Sequence, residues 1–267
     1  MEHRGIVITA GFDKSISAIA VAELLHSQGI PIKGFVVVSP YSYSRFRKYI
    51  KKRGISFLWE AIPRLIGYQQ SACSDSRNYV EEFREEKDIS CNSIKTWASN
   101  RSVDYLSVPS INDDSVANYL NDVEPQWLVY CGGGIIREKV IRTMDGRILN
   151  AHQGPLPEVR GMNAAEWSIL LDKNQEVTIH LIDQGIDTGD IITLLSYSIT
   201  SDDTINTIRD KAKVKGIEGL VEVASKSSLD DYNLRQNNSN YRQCYILSDT
   251  MKELLHKKLN LVQKKKV

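Results

Sequence analysis

A Rossmann-like, doubly wound, mostly parallel α/β sheet is the architecture that this sequence predicts. Three observations carry that expectation. At 267 residues the chain has room for one large α/β domain, or for one domain with a small appendix. Its first forty residues read as strand, loop, helix and strand, the opening unit of such a sheet. The same alternation returns from Ser102 onward, with apolar runs at Tyr105 to Val108 and Trp127 to Cys131.

Taken in order, Ile6 to Thr9 is a short β-branched run, broken by Ala10-Gly11-Phe12-Asp13. From Ser15 to His26, Ile16, Ile19, Ala20 and Leu24 recur at helical spacing, and Gln28-Gly29 closes that helix before a buried strand at Ile32 to Val38. Arg45, Arg47, Lys48, Lys51, Lys52 and Arg53 surround Phe46, Tyr49 and Ile50, which predicts a basic amphipathic helix. A solvated helix face is the ordinary reading of such a stretch; a contact to a diphosphate or to a membrane surface is the alternative. An apolar helix with Leu58 and Trp59 follows, interrupted at Pro63, and residues 71–90 are polar and charged enough to be expected as a mobile insertion. Ser115 to Leu120 should be helical, Gly132-Gly133-Gly134 should end the strand before it, and Ile135 to Met144 should form another helix. Lys264 to Lys266 predict a frayed tail.

Composition narrows the function. Lys and Arg number 34 against 33 Asp and Glu, a net charge of +1 that excludes a broad polyanion-binding footprint, so no nucleic-acid partner is expected. Cys73, Cys91, Cys131 and Cys244 form no Cys-x-x-Cys and no disulfide framework, so no metal site is expected. The N-terminus lacks the pattern of a signal peptide and no apolar run reaches membrane-spanning length, which makes the cytoplasm the expected compartment.

Chemistry concentrates between Arg147 and Ile192. Asn150 and His152 lie two apart, so in a strand both side chains take the same face, at the carboxyl end where parallel sheets place ligands. Gly154, Pro155 and Pro157 then force an irregular backbone suited to lining a pocket. Val177, Ile179 and Leu181 alternate with Thr178, His180 and Ile182 as a strand; His180, out of phase with the apolar residues, is expected to be structural. The loop from Asp183 to Asp190 carries carboxylates, one of which could orient His152, while Asp183 and Asp190 fit turn positions. Asn150 and His152 taken alone fit a satisfied buried polar pair equally well.

The ordered set AsnAlaHisGlnGlyProLeuPro, Arg160-Gly161, Trp167, ValThrIleHis and IleAspThrGlyAspIleIle resembles the formyltransferase family that uses 10-formyltetrahydrofolate. The likeness is firm over about 127–226, poor over 40–100 and faint over 229–267. It implies a catalytic domain over 1–228 and a C-terminal extension over 229–267. It also implies that Asn150 donates to the formyl oxygen, that His152 takes a proton from the attacking amine or relays it to the departing folate nitrogen, and that Asp187 holds His152 and a bridging water. The backbone of Gly134, Ile135 and Ile136 and the loop Ile182, Gln184, Gly185 and Ile186 match the parts that grip the pterin of this co-substrate.

Departures from the family pattern point among its branches. Gly154 stands where many relatives have Ser. The methionyl-tRNA branch adds a basic barrel-like domain, whereas only about forty residues follow position 229 here. The purine branch, which acts on glycinamide ribonucleotide, holds its substrate phosphate with a Gly-Asn-Gly-Ser loop after the first strand; this chain has Gly11-Phe12-Asp13-Lys14-Ser15. The nearest likeness is to the branch that N-formylates nucleotide-linked amino sugars for cell-surface glycan biosynthesis, with a small-molecule amine as acceptor. The extension would then shape an acceptor pocket or a homodimer contact. A hydrolase with the same three residues is the alternative; such relatives carry an N-terminal regulatory domain, for which the strand at Ile6 leaves no room. A catalytically silent binding module is the third reading, disfavoured because all three polar groups are intact.

Overall fold

The computed structural model describes residues 4–39, 77–235, 237 and 241–264. The basic stretch 45–53, the apolar segment with Leu58 and Trp59, Cys73 and residues 265–267 therefore lie outside the described residues. Strand β1 (Ile6–Ala10) is buried along its whole length. All of its residues but Thr9 are apolar, because helices cover both faces of the sheet. Ser15 is the cap of α1 (Ile16–Ser27) rather than part of it, its side chain accepting from the Ala18 N–H. Strand β2 (Ile32–Val38) follows.

Downstream the elements are α2 (Tyr79–Glu86), α3 (Ile94–Arg101), β3 (Asp104–Val108), α4 (Asp114–Val123), β4 (Trp127–Cys131), α5 (Glu138–Met144) and β5 (Ile148–His152). Then come β6 (Arg160–Gly161), α6 (Ala164–Leu170), β7 (Glu176–Leu181), β8 (Ile191–Ser196), α7 (Ile205–Ala224), β9 (Gln243–Cys244) and α8 (Asp249–Lys264). Seven strands form one sheet in the order β3-β2-β1-β4-β5-β7-β8, while β6 pairs with β9. The first five strands are parallel; β7 and β8 are antiparallel additions. Among the described residues no helix is long and apolar enough to cross a membrane.

The period-2 alternation divides the core. One face of the sheet sends Ile8, Phe35, Val129 and Leu149 against α1, α3 and α7. The other sends Val7, Val36, Leu128 and Ile148 against α4 and α5. The strand order reverses at β1 and β4, and there the two chains leave the sheet almost in contact: a Cβ on Gly11 would lie 3.5 Å from the Gly133 nitrogen. Gly133 itself has φ +126, where only glycine is at ease.

Two expectations are corrected. Residues 79–86 are a packed helix, not a mobile insertion: Asn78 caps α2, Val80 and Phe83 are buried against the core, and the glutamates face outward. Two apolar positions three apart suffice to seat a short helix whatever its other charges. The helix expected from Ile135 starts only at Glu138, because the Asn112 side chain holds the preceding turn, donating to the Ile135 carbonyl at 2.8 Å and accepting from the Arg137 N–H at 2.7 Å. Beyond residue 228, Leu247, Leu255 and Leu259 share a core with Ala165 and Ile169 of α6 and Ile208 of α7.

Candidate active site

Asn150 and His152 stand at the end of β5, on the face opposite Leu149 and hence on the α4–α5 side of the sheet. His152 is buried, 6% exposed. Both of its ring nitrogens face oxygen: Nε2 lies 2.8 Å from the Val159 carbonyl and Nδ1 lies 3.4 Å from Oδ2 of Asp187. The Asp187 carboxylate is fixed in turn, Oδ2 accepting from the Gly161 N–H at 2.8 Å. The three predicted residues are therefore brought together.

A fourth residue joins them. The antiparallel register of β5 and β7 sets His180 directly opposite Asn150. His180 Nδ1 is 2.7 Å from the Leu181 carbonyl, so this nitrogen carries the hydrogen and Nε2 accepts from the Asn150 amide at 2.9 Å. Asp187 Oδ1 lies 3.9 Å away. Burial, reinforced by His152, pushes the His180 imidazole down from 6.5 to about 4, which keeps it neutral and able to accept. The structural role expected for His180 is thus exercised on the Asn150 amide itself. The phase of the strand showed its face; only the register shows its neighbour.

Gly154 also has a local explanation. A Cβ there would lie 2.8 Å from that of Ala164 and 3.4 Å from His152 Nε2, so the segment passes too close to α6 and the imidazole for a side chain. Asp183 is a turn residue as expected, its Oδ1 accepting from the Gly185 N–H and the Thr188 hydroxyl.

The segments expected to grip a pterin are anchored on the same face. Ile136 is buried in the core beneath α4 and α5, and Ile182 packs against that core. Some of their polar groups are already engaged: Tyr130 donates to the Gly134 carbonyl, Asn112 to the Ile135 carbonyl, and the Ile182 N–H to the Ile148 carbonyl. Gly134 (φ +100) faces open space where a Cβ would be, Ile135 is 68% exposed, and Gln184 and Gly185 are exposed while Ile186 is half-buried. A separate cleft of about 670 Å³ between α2, β8 and α7 contains none of these residues. Among the described residues, no cluster of His, Cys, Asp and Glu is placed to hold a metal ion.

The family model described as formyl transferase matches residues 75–224, more than half of the chain and all four polar residues of the site. The chain belongs to the formyl transferase family. A methionyl-tRNA formyltransferase of Finegoldia magna is 26% identical over 178 residues, covering 66% of this chain and 56% of that protein. A second, from Caldanaerobacter subterraneus, is 30% identical and covers 52% and 46%. The chain thus spans about half the length of the curated relatives that it matches. Among solved structures, a phosphoribosylglycinamide formyltransferase of Anaplasma phagocytophilum superposes with a TM-score of 0.57 at 14% identity, covering 91% of this chain and 100% of that one. A sugar N-formyltransferase from a Shewanella species gives 0.55 at 12% identity, covering 96% and 88%. Members of the family thus share this sheet at low identity.

Proposed function

We propose that this protein moves the formyl group of 10-formyltetrahydrofolate to the primary amine of a small acceptor, a nucleotide-linked amino sugar. The convergence of Asn150, His152 and Asp187 at one end of β5 is the observation that carries the reading. His180 occupies one hydrogen of the Asn150 amide. The other can donate to the formyl oxygen as the amine attacks and negative charge gathers there. The amine proton passes to His152, where Nδ1 can hold it against Asp187 Oδ2 while Nε2 keeps the Val159 carbonyl. That proton then goes to the folate nitrogen as its bond to the formyl carbon breaks, leaving a formamide and tetrahydrofolate. No covalent bond to the enzyme is required.

The sugar acceptor is supported by the β1–α1 loop. A ribonucleotide phosphate held there would meet the negative charge of Asp13, whose carboxylate is fixed on the start of α3, Oδ2 accepting from the Ser93 hydroxyl at 2.7 Å and Oδ1 from the Lys95 N–H at 2.9 Å. Incubation with 10-formyltetrahydrofolate and a panel of amines, led by nucleotide-linked 3- and 4-amino sugars, should release tetrahydrofolate only when the right amine is present. Asn150→Ala should lower kcat by roughly 10²–10³-fold. Formate release without an amine would replace the transferase by a hydrolase, and near-normal turnover of Asn150→Ala would remove the site.

A further inference from the structure

The C-terminal extension reaches the catalytic carboxylate by two routes. Asp187 lies in the turn between β7 and β8 in the left-handed conformation, at φ +51. Arg235 pairs with Ile191, the first residue of β8, each N–H donating to the other's carbonyl at 2.9 Å. Two residues on, Asn237 is buried, 7% exposed. Its Nδ2 donates to the Asp187 carbonyl at 2.9 Å and to the Gly189 carbonyl at 3.2 Å. Among the described residues its Oδ1 has no hydrogen-bond partner. The amide is thus committed to its two donors and to one orientation, because the flipped one would set oxygen against two carbonyls.

The second route ends on the carboxylate. Strand β9 pairs with β6, matching Gln243 to Arg160 and Cys244 to Gly161, and the Met162 N–H donates to the Cys244 carbonyl at 3.0 Å. Gly161 needs to be glycine for this, with φ +101 and its missing Cβ aimed at the Cys244 backbone. It is the Gly161 N–H that holds Asp187 Oδ2. The main chain of Asp187 is therefore held directly by Asn237, and its side chain, through Gly161, is tied to Cys244.

We propose that Asn237 is a positioning residue for Asp187: by holding the β7–β8 turn it keeps the carboxylate at the distance from which it serves His152. The inference rests on the role given above to Asp187. An imidazole whose partner shifts by an ångström loses alignment, and such a loss costs on the order of 10- to 100-fold in rate. Asn237→Ala should lower kcat by that amount and raise KM for 10-formyltetrahydrofolate less, because its two contacts fall on Asp187 and Gly189 and not on Ile182 to Ile186.

A test independent of the acceptor uses the full chain labelled with ¹⁵N at histidine. The ring signals of His152 should move in Asn237→Ala, and in an Asp187→Ala background the same substitution should move them no further. Asn237→Asp, isosteric but with an oxygen facing both carbonyls, should move them at least as far. If the alanine variant does not fold, Asn237→Ser, which retains one donor, takes its place. Unmoved signals, or shifts that simply add in the double variant, would overturn the proposal even if the thermal midpoint fell. Signals that behave as expected while Asp187→Ala keeps normal turnover would leave the clamp in place and remove the catalytic role of Asp187 instead.

Discussion

Close packing around His152 explains the glycine at position 154. A serine there would meet Ala164 at 2.8 Å and press on the imidazole nitrogen that bonds the Val159 carbonyl. The Thr178 hydroxyl fixes the same segment, donating to the Gly154 carbonyl at 2.7 Å and accepting from the Leu156 N–H at 3.0 Å. Gly154→Ser should destabilise the fold by about 1–3 kcal/mol through overcrowding. Urea unfolding would show it as a lower midpoint, and Ala164→Gly in the same chain should recover part of the loss. A serine variant as stable as the parent would mean that α6 yields freely and the close approach has no consequence.

Helix α2 decides a question at the next scale, because it joins a charged segment to the body of the sheet. Phe83 is 5% exposed and sits in the core shared with α7, Val80 is 4% exposed, and Lys211 of α7 lies 4.8 Å from the Tyr79 ring. Phe83→Ala should cost about 3 kcal/mol and lower the thermal midpoint by roughly 10 °C. A change within about 0.5 kcal/mol would return the segment to the status of a loosely held insertion. Composition hid α2, since two apolar positions are outvoted by the charges of Glu81, Glu82, Arg84, Glu85 and Glu86. Strands β1, β2 and β4 were legible because burial on both faces leaves nearly unbroken apolar runs, whereas β8 was not read, and Asn150, His152 and Asp187 were legible because they sit in short ordered motifs. His180 and Asn237 were not: one acts through strand register and the other across fifty residues of chain, neither of which has a local signature.

For the molecule as a whole, the buried imidazole pair links the site to stability. The folded state holds His180 at about 4, below its ordinary 6.5, chiefly because burial disfavours the charged ring. In the unfolded chain the ring takes its proton as pH falls through about 6.5, and the folded chain does not follow until about 4. The unfolded state therefore binds more protons in that window, so this group's contribution is complete above pH 6.5 and is lost as pH falls toward 4. Thermal unfolding followed from pH 7.5 to 4.5 should show the midpoint declining. His180→Phe should flatten the decline while lowering the midpoint at pH 7.5, because the Asn150 amide loses its acceptor. An equal slope in parent and variant would mean that His180 does not carry the loss. The same substitution separates folding from chemistry, since an Asn150 freed to rotate should lower kcat at pH 7.5, where His180 is neutral in folded and unfolded chains alike.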